Sequence, residues 1–107
     1  MALTRDYNET ISDRAHSDTE FANALFDEAV SLFLNGEPDV ARLVLRDLVN
    51  ATVGFETLAM EIEKPSKSLH RMLSAKGNPT MDNLTKIFNV LKHKLCVDFE
   101  VHAVSHV

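Results

Sequence analysis

The chain has 107 residues and a formal net charge of -5, with 45% hydrophobic and 25% charged residues. This length suits one small domain, and such a balance of apolar and charged residues argues against a disordered chain. Three glycines and three prolines are few enough to favour a mostly helical chain.

The predicted elements begin with residues 1–18, a polar stretch without a clear period that we expect to form an N-terminal arm. A helix is predicted over residues 19–36, because apolar side chains recur there at the three- and four-residue spacing of an amphipathic helix. Gly36 supplies a residue that can take the left-handed conformation at its end. Pro38 suits the first turn of a second helix. The expected buried face of that helix consists of Val40, Leu43, Val44, Leu48 and Ala51.

Two shorter helices are predicted next, over residues 55–62 and 66–75. Pro65 separates them, because proline disfavours helical geometry in the residue before it. Gly77 ends the second short helix, and an amphipathic helix follows. Its expected inner face consists of Met81, Leu84, Ile87, Phe88 and Leu91.

The last segment, residues 95–107, alternates apolar and polar side chains and is predicted to be a β-strand and tail. A single strand cannot satisfy its own backbone hydrogen bonds and must find a partner edge. We therefore expect it to pair with the same strand of a second copy, or with another protein.

Charge is distributed unevenly along the chain. Residues 1–63 carry four lysines and arginines against thirteen acidic residues, a net charge of -9. Residues 64–94 carry seven lysines and arginines against Asp82 alone, a net charge of +6. Phosphate groups respond to the local field rather than to the molecular total, so the basic segment favours a nucleic-acid partner.

The two short helices have the pattern of a helix-turn-helix, in which the second helix enters the major groove of DNA. Such a motif needs a small residue where the helices cross, and Ala59 occupies that place, ten positions before Leu69. Apolar residues at fixed distances then hold the crossing angle. With Ala59 they form the predicted motif core: Leu58, Ala59, Ile62, Leu69 and Met72.

Residues 53–62 (VGFETLAMEI) and 68–91 (SLHRMLSAKGNPTMDNLTKIFNVL) resemble the phage-repressor helix-turn-helix of the Cro/CI, XRE-type class. Upstream, TRDYNET, DTEFANALFDEA and DVARLVLRDLVNA resemble the addiction-module antidote family, the HigA-like antitoxins. The chain departs from the pattern at Glu63, where a glycine is usual, and at Pro65, where a serine cap often stands.

The resemblance implies an all-α, lambda-repressor-like helical bundle, here with the C-terminal β-strand added. It assigns residues 37–94 to the DNA-binding domain and makes the protein the homodimeric repressor of a type II toxin-antitoxin module. Such a repressor binds its own operator in double-stranded DNA and neutralises a basic, ribonuclease-type toxin. Carried over by position, the DNA-binding residues are Thr57, Ser66, Lys67, Ser68, His70, Arg71, Lys76 and Asn78.

Other interpretations remain open. Lys67 and Arg71 could simply form a solvated helix face. The acidic N-terminal half could make the chain a protein-interaction module in which DNA binding is secondary or lost. Five histidines that do not cluster predict no metal site, and the sequence has no glycine-rich phosphate loop or nucleophile elbow, so we expect neither a cofactor nor an enzyme.

The sequence also bears on where the protein works. Cys96 is its only cysteine, which excludes an internal disulfide and fits a reducing compartment. No apolar run approaches the ~20 residues that span a bilayer, and the N-terminus lacks an apolar signal core. We therefore expect a cytoplasmic protein without membrane contact.

Overall fold

Five helices make up most of the computed structural model, which describes residues 19–106. In chain order they are α1 (Thr19–Leu34), α2 (Pro38–Ala51), α3 (Phe55–Ile62), α4 (Ser66–Met72) and α5 (Met81–Leu95). The prediction of a mainly helical fold is confirmed. None of the described helices is long and apolar enough to cross a membrane. The predicted arm, residues 1–18, lies outside the described residues, as does Val107.

A tight turn joins the two long helices α1 and α2. Gly36 has a φ of 85°, a conformation that glycine adopts without the clash a Cβ would cause. The Glu37 amide then donates a hydrogen bond to the carbonyl of Leu32 over 2.8 Å, which closes the end of α1. Pro38 is the first residue of α2, as its fixed φ suits.

The buried face of α2 differs from the predicted one. Val40 is 47% exposed, and Leu43 and Val44 are only half-buried. Apolar residues surround most of this helix, so their spacing was compatible with more than one inward face. The residues of α2 that are buried are Ala41, Arg42, Leu45, Leu48, Val49 and Ala51.

One hydrophobic core receives side chains from all five helices. Phe26 of α1 lies at its centre with no exposed surface, and its ring lies 5.9 Å from that of Phe88 on α5. α4 reaches the same core through Leu69, and the loop after it through Leu73, both fully buried. Met81, predicted to face inward, is instead 74% exposed at the start of α5.

The connection between α3 and α4 consists of residues 63–65. Glu63 takes the left-handed conformation, with φ 57° and ψ 47°, which is the geometry that a glycine would supply. The Lys64 amide donates to the carbonyl of Ala59 over 3.0 Å and so caps α3. Pro65 has extended geometry and precedes α4, which begins at Ser66 and ends at Met72, three residues earlier than predicted.

The predicted C-terminal strand is not formed. The last helix continues to Leu95, and Cys96 ends it in the left-handed conformation with φ 56°. Residues 97–106 then have neither helix nor strand, and no strand edge lies beside them in the described part of the chain. Only the first members of the alternating apolar series are packed: Val97 and Phe99 lie against the core, and the ring of Phe99 meets Phe26 edge-on with 4.8 Å between centroids. Val101 is 64% exposed.

Candidate nucleic-acid interface

The burial of α4 on one side decides which of its residues meet solvent. Leu69 is fully buried in the core, so the opposite side of this short helix faces outward. Of the residues predicted to contact DNA, Lys67 and Arg71 lie opposite Leu69 and are exposed. His70 is also exposed, whereas Ser66 and Ser68 are half-buried, and Ser66 lies on the same side of the helix as Leu69. The structure therefore presents Lys67 and Arg71 on the outer side of α4, with His70 and Ser68 at its flanks.

The basic side chains of α4 are not neutralised by acidic neighbours. Neither Lys67 nor Arg71 forms an ion pair with any acidic side chain of residues 19–106. The first turn of α4 also contains no acidic residue. Both cations are thus free to interact with an external anion.

The five residues of the predicted motif core are all buried or half-buried in the hydrophobic core that α3 and α4 share. Leu58 and Leu69 are fully buried. Ala59, Ile62 and Met72 are half-buried and pack against the same core. Because both helices bury side chains in this one core, the outer side of α4 keeps a fixed orientation relative to α3.

A ring stack that the sequence did not predict also joins the two helices. The rings of Phe55 and His70 lie 4.0 Å apart between centroids and only 19° from parallel. Phe55 is 5% exposed, so it opens α3 as a packing residue rather than as a contact to DNA. His70 has one ring face covered by Phe55, which leaves it at the edge of the exposed surface.

The loop after α4 folds back tightly onto the end of that helix. A Cβ added to Gly77 would lie 2.2 Å from the carbonyl oxygen of Met72 and 2.6 Å from that of Arg71. Only glycine permits so close an approach of two backbones. Lys76 and Asn78 flank Gly77, and both are exposed. Both residues thus lie beside the end of α4, and contact of this loop with the DNA backbone stays a prediction.

Arg42 of α2 is the residue of this region that sequence reasoning missed. Its guanidinium is buried, and it donates through Nε to the carbonyl of Ser74 (3.0 Å) and through Nη2 to the carbonyl of Ala75 (2.8 Å). Nη2 also reaches Asp39 Oδ1 at 3.2 Å. The only local signal was the pair Asp39 and Arg42, three residues apart, since the carbonyl partners lie more than thirty residues further along the chain.

Thr57 stands apart from the other predicted residues. It is exposed in the first turn of α3, where it lines an open groove between α3 and α5. Glu61 and Lys94 line the same groove, and no residue of α4 does. The structure therefore does not bring Thr57 together with the α4 set, and it is the weakest of the eight predicted contacts.

One carboxyl group outside this surface, that of Asp47, has a shifted pKa. Burial raises the pKa of Asp47 on α2, and the neighbouring Arg46 partly offsets this rise. Within residues 19–106, no three histidine, cysteine or acidic side chains converge in a way that could hold a metal ion.

Comparisons of the chain with protein-family models, with curated proteins and with solved structures give no match.

Proposed function

We propose that this protein is a cytoplasmic, sequence-specific DNA-binding repressor in which α3 and α4 act as a helix-turn-helix. The observation that supports this most strongly is the arrangement of α4. Leu69 fixes one side of the helix in the core, while Lys67 and Arg71 project from the other side without acidic partners among the described residues. A major groove accepts a helix presented in this way.

Local charge explains how a chain of net charge -5 can bind a polyanion. Residues 64–94 carry a net charge of +6, and they include α4, the following loop and most of α5. Approaching phosphates respond mainly to charges within about a Debye length, ~8–10 Å at physiological salt. The acidic residues elsewhere then reduce non-specific association without cancelling the field at this surface.

Each polar side chain of α4 and the following loop has a distinct part in the proposed complex. Arg71 makes a bidentate contact with guanine or clamps a phosphate, because its planar guanidinium fits both. Lys67 acts as a point charge, and Ser66 and Ser68 suit phosphate oxygens or base edges. Lys76 and Asn78 contact the DNA backbone from the loop after α4.

The resemblance to HigA-like antitoxins supports a wider role as the antitoxin of a type II toxin-antitoxin module. A homodimer would place two recognition helices about 34 Å apart and would prefer an inverted repeat in the operator. Its second partner would be a small basic toxin, and the exposed carboxylates of Glu20, Asp27 and Glu28 on α1 offer the complementary charge.

The DNA-binding proposal is tested by titrating the full chain against the duplex that lies just upstream of its gene. Arg71→Ala should weaken specific binding by about 1–3 kcal/mol, because it removes a base contact. Lys92→Ala is the matched control, since Lys92 pairs with Asp98 (3.4 Å) at the far end of α5 and should not touch DNA. Equal affinity of the Arg71→Ala and Lys92→Ala variants would overturn the assignment of α4 as the recognition helix.

A second candidate, a protein-interaction module that uses its acidic half, is favoured by the exposure of all three acidic residues of α1. Because Phe26 of α1 is part of the core, deleting the helix would unfold the chain, so the test needs point variants. Neutralising Asp27 and Glu28 together should weaken capture of a basic protein encoded beside the gene and leave DNA affinity unchanged. If the variant loses DNA binding instead, the two surfaces are not separate.

A further inference from the structure

We infer that Arg42 is a positioning residue, which orients the loop after α4 so that Lys76 and its backbone amide can bind a DNA phosphate. This inference rests on the proposed function and deepens it. Arg42 lies on α2 and cannot itself reach DNA, since it is only 7% exposed beneath the loop. Its effect on the loop would pass through the two carbonyl groups that it holds, since its third partner, Asp39, belongs to α2 itself.

The burial of Arg42 makes its hydrogen bonds necessary. A guanidinium stays charged at every physiological pH, and a buried charge is tolerated only where donors are matched by acceptors. Here the guanidinium donates to two successive carbonyls, from Nε to Ser74 at 3.0 Å and from Nη2 to Ala75 at 2.8 Å. Two adjacent peptide groups are therefore fixed relative to α2.

Because peptide groups are planar, the contact with Arg42 also fixes the direction of the amide N–H groups on the opposite side of the loop. In a trans peptide the C=O and the following N–H point in opposite directions. When the Ala75 carbonyl turns inward to Arg42, the Lys76 amide must turn outward. The same relation applies to the Ser74 carbonyl and the Ala75 amide. Neither amide donates to a backbone acceptor of the described residues, so both remain available to an anion.

A second restraint keeps the loop from rotating about these bonds. Gly77 presses against the carbonyls of Arg71 and Met72, and its own amide donates to Ser74 over 3.0 Å. The loop is thus held by α2 on one side and by the end of α4 on the other. Lys76, exposed between these two restraints, acquires a defined position beside the recognition helix.

The test is a double-mutant cycle on the full chain, which combines Arg42→Gln with Lys76→Ala and reads out affinity for the upstream duplex. In the natural background, Lys76→Ala should weaken binding about 3- to 10-fold and lower the salt slope by roughly one phosphate contact. In the Arg42→Gln background, the same change should cost less than about twofold, because the lysine is already misplaced. An equal loss in both backgrounds would overturn the role of Arg42.

Arg46→Gln is the matched control, because it removes one positive charge from the same helix one turn later. It should preserve the full effect of Lys76→Ala. Should Arg42→Gln fail to fold, Arg42→Lys replaces it, since lysine keeps the charge but cannot bond both carbonyls as a fork. Arg42→Lys is expected to reduce the effect of Lys76→Ala too, and an undiminished effect would count against the inference.

Amide hydrogen exchange without DNA separates this inference from the proposed function. Exchange at Gly77 should accelerate about tenfold or more in Arg42→Gln relative to Arg46→Gln, because its hydrogen bond to Ser74 is released when the loop opens. Unchanged exchange would show that Arg42 does not order the loop, whatever the DNA result. If the natural chain binds no DNA while exchange responds as expected, the repressor proposal fails and the phosphate role of Lys76 fails with it.

Discussion

The left-handed residue between α3 and α4 gives the sharpest test of the turn geometry. Glu63 has φ 57° and ψ 47°, a conformation that costs a residue with a Cβ about 1–2 kcal/mol. Glu63→Gly removes this strain but adds about 0.5–1 kcal/mol of backbone entropy to the unfolded chain. The net expectation is a gain of roughly 0.5–1 kcal/mol, which raises the Tm by about 2–8 °C for a domain of this size.

Two further variants identify the source of that gain. Glu63→Gln removes the charge at the end of α3 without changing the backbone. The difference between Gly and Gln is therefore free of the charge effect and reports the relief of strain less the backbone entropy that glycine adds. Glu61→Gly lies two residues earlier, at an exposed position in the last turn of α3, and should cost up to about 1 kcal/mol because glycine is a poor helix former. Thermal unfolding followed by circular dichroism measures all three. A Tm lowered as much by Glu63→Gly as by Glu61→Gly would refute the left-handed turn.

Three other changes should have equally definite outcomes. Gly77→Ala should destabilise the fold by about 1–3 kcal/mol in a chemical denaturation, because its Cβ would lie 2.2 Å from the Met72 carbonyl; unchanged stability would contradict that approach. Leu69→Ala should cost about 2–5 kcal/mol and abolish operator binding, since this side chain anchors α4. Asp47→Asn should raise the Tm at pH 7. The raised pKa makes the charged carboxyl unfavourable in the folded state, so the difference should vanish as the pH falls below the ordinary value of 3.8.

Much of the helical layout could be predicted from local signals. Gly36 and Pro38 mark the turn between the long helices, and Pro65 marks the start of α4. These residues act through their own backbone restrictions, which do not depend on the rest of the fold. The end of α4 was harder to predict, because Leu73 leaves the helix while its side chain still enters the core.

Features that depend on distant contacts could not be predicted in the same way. Apolar residues surround most of α2, so periodicity did not identify its buried face, and Val40 was wrongly placed inward. In the alternating C-terminal segment, Val97 and Phe99 pack on the core without a strand, and Val101 is exposed. Phe99 meets Phe26 of α1, and no strand forms among the described residues. Arg42 was missed because its partners come from a loop that only the tertiary fold brings near.

The same distinction applies to the candidate interface. The basic side chains of α4 could be identified from spacing and charge, because an amphipathic helix with Leu69 inside must present Lys67 and Arg71 outside. The stack of His70 on Phe55 could not, since it joins residues fifteen positions apart on different helices. It makes His70 partly a structural residue, whose replacement would alter the packing of α3 on α4 as well as any contact with DNA.

The most direct test of the central claim is a nuclear magnetic resonance titration of the labelled protein with the upstream duplex. The account predicts that amide shifts concentrate in residues 66–71 and 74–78, with α1 unaffected, and that they weaken as salt is raised. Shifts confined to α1, or no shifts at any salt concentration, would contradict the assignment of α4 as the surface that recognises DNA.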